Sequence, residues 1–560
     1  MTSTSLPRLG AVLLVLVLAG LTLYPLLMLG YGSLHTTPPG ERGEFSLAGY
    51  RSLGTARTAT ILANTVGISL VKTVLSMILG LGLAWIVART DTPGRRTLEA
   101  LIALPFFIPP VLTATAWGML GTPRGGLINL AWSALTGATE PLVNVYSYGG
   151  VVWHMMQYTT PFLFLLFVTA FRSLDPSLEE SSRMSGASSW ATFRRITLSL
   201  MLPVTTSAFI LAFVRGVEAF ESPMFFGTPA RIQVLTTEIY NSIHHDTEPD
   251  YQGATALALF VMALLSLLIV WQWRLLGSRS FLTVTGRGYQ PRLTRLGRLR
   301  WATFGLTLAF VGVTVALPVG QLLLGSFFRF FGFYRVEMLT LEHYREVWES
   351  RLVWRALGNT LVLGFAASTA AMLLGSITAY VVVRTRLPLR RVAEVLAWLP
   401  WLMPGMILGV GLLWAYAFLP GPFAFYGTRW ALLFAYLTLS LPLAVRTMAG
   451  AFSRIGSDLE ECSRVHGAGF WTTFRRILLS LSWPSFAVGW IFLFFIILRE
   501  LSASILLYGP GSEVLSVVLM RLWSEGKAEE VSVVALIMLA FVFAFRFLES
   551  RIVKTHEVGS

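Results

Sequence analysis

The chain has 560 residues, of which 55% are hydrophobic and only 13% charged, with a mean hydropathy of +0.67. Soluble domains carry about 25% charged residues, so this composition excludes a soluble globular protein and points to an integral membrane protein. The net charge of +14 would suit a nucleic-acid partner, but the basic residues are scattered between apolar stretches instead of forming one patch, and the single cysteine, Cys462, leaves no intramolecular disulfide.

Apolar runs of about 20 residues, the length that crosses a bilayer as a helix, are expected near 8–32, 59–88, 98–120, 149–171, 203–226 and 253–273. Six more follow near 301–328, 356–383, 392–416, 430–445, 484–507 and 531–548. The first reads as a retained signal anchor, its apolar run being long for a cleaved signal. Twelve helical spans make an all-α membrane protein. With the N-terminus in the cytoplasm, lysine and arginine concentrate on the cytoplasmic loops, as the positive-inside rule requires, and the C-terminus is cytoplasmic too.

The second half repeats the first. Asn64-Thr65, Arg89-Thr90, Pro93 and Arg95-Arg96 recur 295 positions later as Asn359-Thr360, Arg384-Thr385, Pro388 and Arg390-Arg391. Leu104-Pro105 with Pro109 recurs as Leu399-Pro400 with Pro404, and Pro161 matches Pro442 at the smaller offset of 281. The first half therefore carries extra residues in its loop near 121–148. The expected division is 1–275, a first six-span half; 276–300, an Arg-rich cytoplasmic linker able to lie against lipid headgroups; and 301–560, a second six-span half. An even number of spans leaves both halves facing the same way, a parallel repeat about an axis along the membrane normal.

The strongest repeat is polar. Leu178 to Pro203 and Leu459 to Pro484 agree at 17 of 26 positions, including Glu179/Glu460, Glu180/Glu461, Arg183/Arg464, Gly186/Gly467, Ala187/Ala468, Trp190/Trp471 and Pro203/Pro484. Each copy predicts two short helices joined by a turn at its glycine, which has no side chain to obstruct positive φ. A polar element kept in duplicate between apolar spans is suited to meeting a duplicated partner.

Glu180-x5-Gly186-x9-Ile196-x-Leu198 and Glu461-x5-Gly467-x9-Ile477-x-Leu479 resemble the EAA loop of permease subunits of binding-protein-dependent ABC importers. The resemblance implies the type I importer permease fold and a bacterial inner-membrane location. It also implies coupling residues Glu179, Glu180, Arg183, Gly186, Ala187 and Trp190 in one half and Glu460, Glu461, Arg464, Gly467, Ala468 and Trp471 in the other. Such loops seat in grooves of ATP-hydrolysing subunits, so two ATPase copies and a periplasmic solute-binding protein are the implied partners. ATP and Mg belong on that ATPase, because no Gly-x4-Gly-Lys-Ser/Thr phosphate loop occurs here; this chain is expected to hold no cofactor and to be no enzyme. The copies depart from the family's pattern in the same places: Ser181-Ser182 and Cys462-Ser463 replace its alanine pair, and Ser199/Ser480 stand where it often has proline.

Paired helix breaks in corresponding halves point to a transport path, which singles out Pro105, Pro109, Pro400 and Pro404. Ionisable residues inside spans are functional candidates by default: Arg215, Glu218 and Glu221 in the fifth span, Arg499 and Glu500 in the eleventh. Arg215 and Glu218 are spaced to pair on one helix face, and Arg499 is free to pair with a carboxylate of the other half. The stretches around Arg215 to Tyr240 and Arg499 to Ser516 resemble fused iron(III) importer permeases, which implies iron(III) as cargo. Related permeases carry thiamine, polyamines or aminoethylphosphonate, and an ion-coupled secondary transporter would also have twelve spans. No resident metal site is expected, His244, His245 and Asp246 reading as solvated loop residues.

Overall fold

Inside a bilayer no water is at hand to bond a free N–H or C=O, so a spanning segment closes its own hydrogen bonds as helix. The structure, a computed structural model, describes residues 5–41, 43–244, 248–276, 293–419 and 424–557. Among these residues the chain is all-α, with isolated β-bridges and no strand. The first half comprises α1 (Ser5–Ser33), α2 (Ala56–Arg89), α3 (Arg95–Phe107), α4 (Pro110–Gly121), α5 (Tyr148–Ser173), α6 (Pro176–Met184), α7 (Leu198–Val217), α8 (Leu235–His244) and α9 (Tyr251–Leu276). In the second half α10 spans Leu299–Phe327; α11 (Arg351–Arg384), α12 (Arg390–Trp398), α13 (Gly405–Ala417), α14 (Arg429–Ser453), α15 (Asp458–Val465), α16 (Trp483–Leu498), α17 (Leu515–Ser524) and α18 (Ala528–Glu557) follow. Among the described residues nine apolar helices are long enough to cross a membrane, and three sharply bent helix pairs bring the crossings to the expected twelve if each pair counts once.

The repeat governs the packing. α2 lies along α5 and α11 along α14, while the first helix of each half reaches over the other half. α1 packs on α13, where Gly32 leaves no room beside the Trp414 ring and Tyr24 Oη donates to Ala415 O at 3.2 Å. α10 packs on α4 and α18, with Gly325 against Ser532 and Met119. Small residues at such crossings let backbones approach, which is how helices attract one another where lipid is as apolar as leucine. One core of buried side chains consequently runs through both halves.

The breaks expected at Pro105 and Pro109 and at Pro400 and Pro404 are present. α3 and α4 meet at 92°, and Arg390–Leu402 meets α13 at 111°. Pro161 and Pro442, by contrast, stay inside the continuous helices α5 and α14. The fifth and eleventh spans also end earlier than their apolar runs suggest, at Val217 instead of 226 and at Leu498 instead of 507. Pro223 contributes here, because it lacks the N–H that would bond the Ala219 carbonyl in a continuing helix; Thr236 Oγ1 donates to that carbonyl at 2.6 Å instead. Beyond each early end the chain turns within the fold before a short helix, α8 or α17, packs against the last span of its half.

The repeated Asn-Thr pairs hold those short helices. Asn64 Nδ2 donates to Gln233 O at 3.1 Å and Thr65 Oγ1 accepts from Leu235 N at 3.0 Å. In the second half Asn359 Nδ2 donates to Glu513 O at 2.9 Å and Thr360 Oγ1 accepts from Leu515 N at 2.8 Å. Each pair thus satisfies the opening of a helix that starts inside the bundle, where an unbonded amide is costly.

Candidate functional site

Two regions collect the candidate residues: the twin polar elements on one face, and the seam where the halves meet within the membrane. In each polar element a short helix, α6 or α15, runs to a turn at Gly186 (φ 86°) or Gly467 (φ 79°), and a second short helix then enters a π-helical turn, Phe193–Thr197 or Phe474–Leu479. Both glycines adopt the left-handed conformation that a side chain disfavours, so the predicted turns are where the sequence puts them. Asp175 accepts from Ser177 N at 2.9 Å at the opening of α6, and that hydrogen bond holds its carboxyl below the usual range.

The adjacent acids divide their roles. Glu180 and Glu461 are exposed, whereas Glu179 and Glu460 turn inward. Glu179 lies 3.8 Å from Arg89, the last residue of α2, and accepts from Thr197 Oγ1 at 2.8 Å. Glu460 lies 3.5 Å from Arg384, the last residue of α11. The two arginines also donate to carbonyls ahead of the short helices, Arg89 to Leu174 O at 3.4 Å and Arg384 to Phe452 O and Ile455 O. A repeat noticed in the sequence as a spacing is therefore a joint: the second span of each half ends in a guanidinium that holds its polar element.

The shared serine departures are partly explained. Ser182 Oγ and Thr192 Oγ1 lie 3.0 Å apart across the turn, and Ser463 Oγ and Thr473 Oγ1 2.8 Å apart, so each serine closes its turn with a hydrogen bond alanine could not make. Nothing in the structure explains Ser199 and Ser480. Trp471 is 65% exposed and Ala187 and Ala468 sit just past the turns, while the side chains of Arg183, Trp190 and Arg464 lie outside the described ones. The copies diverge after the turn: Phe193–Val217 continues as one helix, but Phe470–Leu479 meets α16 at 77°, with Pro203 inside its helix and Pro484 at the start of its own.

At the seam, each half reaches into the break of the other. In a continuous helix Pro110 would bond the Phe106 carbonyl, and lacking an N–H it leaves that oxygen free. Arg499 Nη1 donates to it at 2.8 Å, and the Arg499 guanidinium sits 5.6 Å over the Phe106 ring. Trp401, the counterpart of Phe106 at the offset of 295, has the Arg215 guanidinium 5.6 Å over its own ring. Cations prefer aromatic faces at this distance. The Phe106 ring further stacks between Phe162 and Phe492, with centroids 6.1 and 5.9 Å away, so rings of both halves meet at the break.

Arg215 and Glu218 form the expected pair, at 3.0 Å. The expectation for Arg499 needs correcting: its hydrogen bond goes to a carbonyl of the other half, while Glu221 stands within its electrostatic reach. Glu500 instead faces its own chain, accepting from Ala503 N at 2.8 Å, from Ser504 N at 3.1 Å and from Ser504 Oγ at 2.6 Å. It can do so because α16 has ended and the next amides are free, a consequence of the early helix end that hydropathy alone does not reveal. Pro105 and Pro400 lie buried on the near side of the two breaks, with Pro109 and Pro404 at the bends themselves.

Sequence reasoning passed over two groups here. Lys72, 1% exposed within α2, donates from Nζ to Ala212 O at 2.7 Å and is in electrostatic reach of Glu218. His154 joins Thr113 (2.9 Å) to Ser222 (2.7 Å), tying α4 and α5 to the chain beyond α7. In the second half Tyr436, one residue past the position equivalent to His154 at the offset of 281, bonds Ser504 at 2.8 Å, and Ser504 answers Ser222 at the offset of 282 that holds after the helix end. His244 stacks on Tyr240, with centroids 4.5 Å apart, and His245 and Asp246 lie outside the described residues.

Comparison with known proteins fits this architecture. The family described as binding-protein-dependent transport system inner membrane component matches residues 73–281 and again 371–554. The chain belongs to that family. Its two matches coincide with the two structural repeats, so it is a multi-pass inner-membrane protein carrying two such units in one chain. "Putative ferric transport system permease protein FbpB 1" of Haemophilus influenzae is 26% identical, covering 76% of this chain, which spans 66% of that relative, just under two thirds. The ferric transport system permease protein FbpB of Actinobacillus pleuropneumoniae is 24% identical, covering 90% of this chain and 74% of the relative. The thiamine transport system permease protein ThiP of Brucella suis is 27% identical over 71% of this chain and 69% of its own. A bacterial ABC transporter involved in the import of the acidic polysaccharide alginate superposes over 45% of this chain and 96% of its own at 18% identity, but a TM-score of 0.36 is too loose to carry an inference.

Proposed function

We propose that the chain is a translocating permease of an ATP-driven importer, moving a solute delivered by a periplasmic binding protein into the cytoplasm. The observation that carries this reading is the pair of matching polar elements, each joined to the second span of its half by an arginine and each presenting an exposed glutamate. They are suited to receive one copy each of a separate ATPase subunit, which supplies ATP and Mg. The elements then face the cytoplasm, as do both termini. The seam of paired breaks, Arg215, Arg499 and stacked aromatic rings is the gate that ATP-driven movement of the polar elements opens.

Iron(III) is the proposed cargo, supported by the ferric transport names of the relatives aligned over most of the chain. Thiamine is the second reading, supported by the ThiP relative at similar identity. Uptake into proteoliposomes holding the purified complex, with the binding protein loaded with either solute, tests both. ATP-dependent uptake of iron(III) is expected; uptake driven by an ion gradient with no ATPase present would overturn the importer reading altogether.

A further inference from the structure

We propose that the species crossing the seam carries negative charge of its own: a hard cation accompanied by an oxyanion ligand, not the bare ion. This deepens the iron(III) reading and rests on it. A naked trication would need carboxylate oxygens turned into its path, since hard cations take oxygen donors and moving a charge unaccompanied into a membrane interior is costly. The seam offers the reverse. Glu500 has both carboxylate oxygens on its own backbone and Ser504, and Glu221 lies within electrostatic reach of Arg499.

Glu218 is shared between Arg215 and the buried Lys72. Its side chain is 11% exposed while that of Arg215 is 58% exposed, so the cation of the pair is the open partner. Arg215 nevertheless belongs to the seam, because its guanidinium covers Trp401 of the other half. Three cations thus balance three carboxylates around the breaks, and the most open charged group is a guanidinium. Among the described residues no three of His, Cys, Asp and Glu gather to hold a metal ion. A cation wrapped in an oxyanion reduces its own charge and offers acceptor oxygens to the fork of Arg215, the geometry in which arginine binds such groups best.

The test reconstitutes the chain with its ATPase and binding protein in proteoliposomes and follows radiolabelled iron(III) together with radiolabelled citrate or phosphate. The expected result is entry of one anion in constant ratio to iron. Arg215→Gln should lower uptake by about tenfold, the loss of roughly one charge-assisted hydrogen bond, while Arg215→Lys, which keeps the charge without the fork, recovers only part of it and the complex still copurifies. Iron entering at full rate without either anion, or unchanged uptake by Arg215→Gln, overturns the proposal and leaves the iron(III) reading intact. No iron uptake from the loaded binding protein sinks both.

Discussion

The face bearing the polar elements and the seam inside the membrane have kept their duplication to different degrees. On that face the halves share the residues that hold the turns: glycine turns, inward glutamates held by Arg89 and Arg384, and serine–threonine pairs across each turn recur at fixed offsets. At the seam the plan is shared but the residues are not. Phe106 answers Trp401, the buried Lys72 answers Ala367, and the equivalent serines Ser222 and Ser504 are bonded by His154 and Tyr436 from positions one residue out of step. Arg215 and Arg499 reach corresponding rings from positions that do not align. In the proposed importer, two copies of one ATPase would constrain two surfaces to stay alike, whereas a single solute passing between the halves would touch each side differently and leave them free to diverge.

The comparison breaks first, and with the largest effect, at the seam carboxylates. Replacing Glu218 and Glu221 together by glutamine is expected to reduce uptake to background while the ATPase still copurifies; unchanged uptake would remove both residues from the mechanism. Arg499→Ala comes next. It strands the Phe106 carbonyl that Pro110 already leaves free, and an unbonded buried carbonyl costs about 1–3 kcal/mol, so a lowered melting temperature and leaky, ATP-independent solute flux are expected. Arg215→Ala, which abandons no carbonyl, should change melting far less, and equal losses would contradict the asymmetry described for the two arginines.

On the other face the two halves should respond alike in kind. Glu460→Ala leaves Arg384 buried without its carboxylate and Glu179→Ala does the same to Arg89, so each is expected to loosen transport from ATP hydrolysis, seen as ATPase activity without uptake. The Arg89 side chain is 4% exposed against 12% for Arg384, so the first-half variant, which strands the more deeply buried guanidinium, should suffer more. Gly186→Ala and Gly467→Ala each force a side chain into the left-handed region at a cost of about 1 kcal/mol, measurable as weakened ATPase association of matching size. Ser463→Ala is the mildest, removing one half-buried turn hydrogen bond worth roughly 0.5–1.5 kcal/mol, and should leave uptake nearly unaltered.

The lipid-facing fold was legible because hydrophobic length and the repeat offsets depend on sequence alone. The polar elements were legible because their charges stand out against apolar flanks, and Gly186 and Gly467 mark the turns. What was not legible is where a span stops within the fold. Hydropathy runs past Val217 and Leu498 without a change, yet the helices end there, and with them the expected pairing of Arg499 with a carboxylate gave way to a carbonyl bond and Glu500 turned to its own amides. Proline likewise signals a missing donor without saying what replaces it. Pro110 left an oxygen for Arg499, Pro223 left one for Thr236, and Pro161 and Pro442 bent nothing sharply. Arg89 and Arg384 were visible as a spacing but gained meaning only when the fold brought them to Glu179 and Glu460.

The central claim is that one chain presents two equivalent docking elements. Native mass spectrometry of the complex purified from its own membrane measures this most directly, with Gly467→Pro as a variant that disables one turn. Two ATPase copies per chain, falling to one in the variant, is the predicted result; a single copy in the unaltered complex would contradict it.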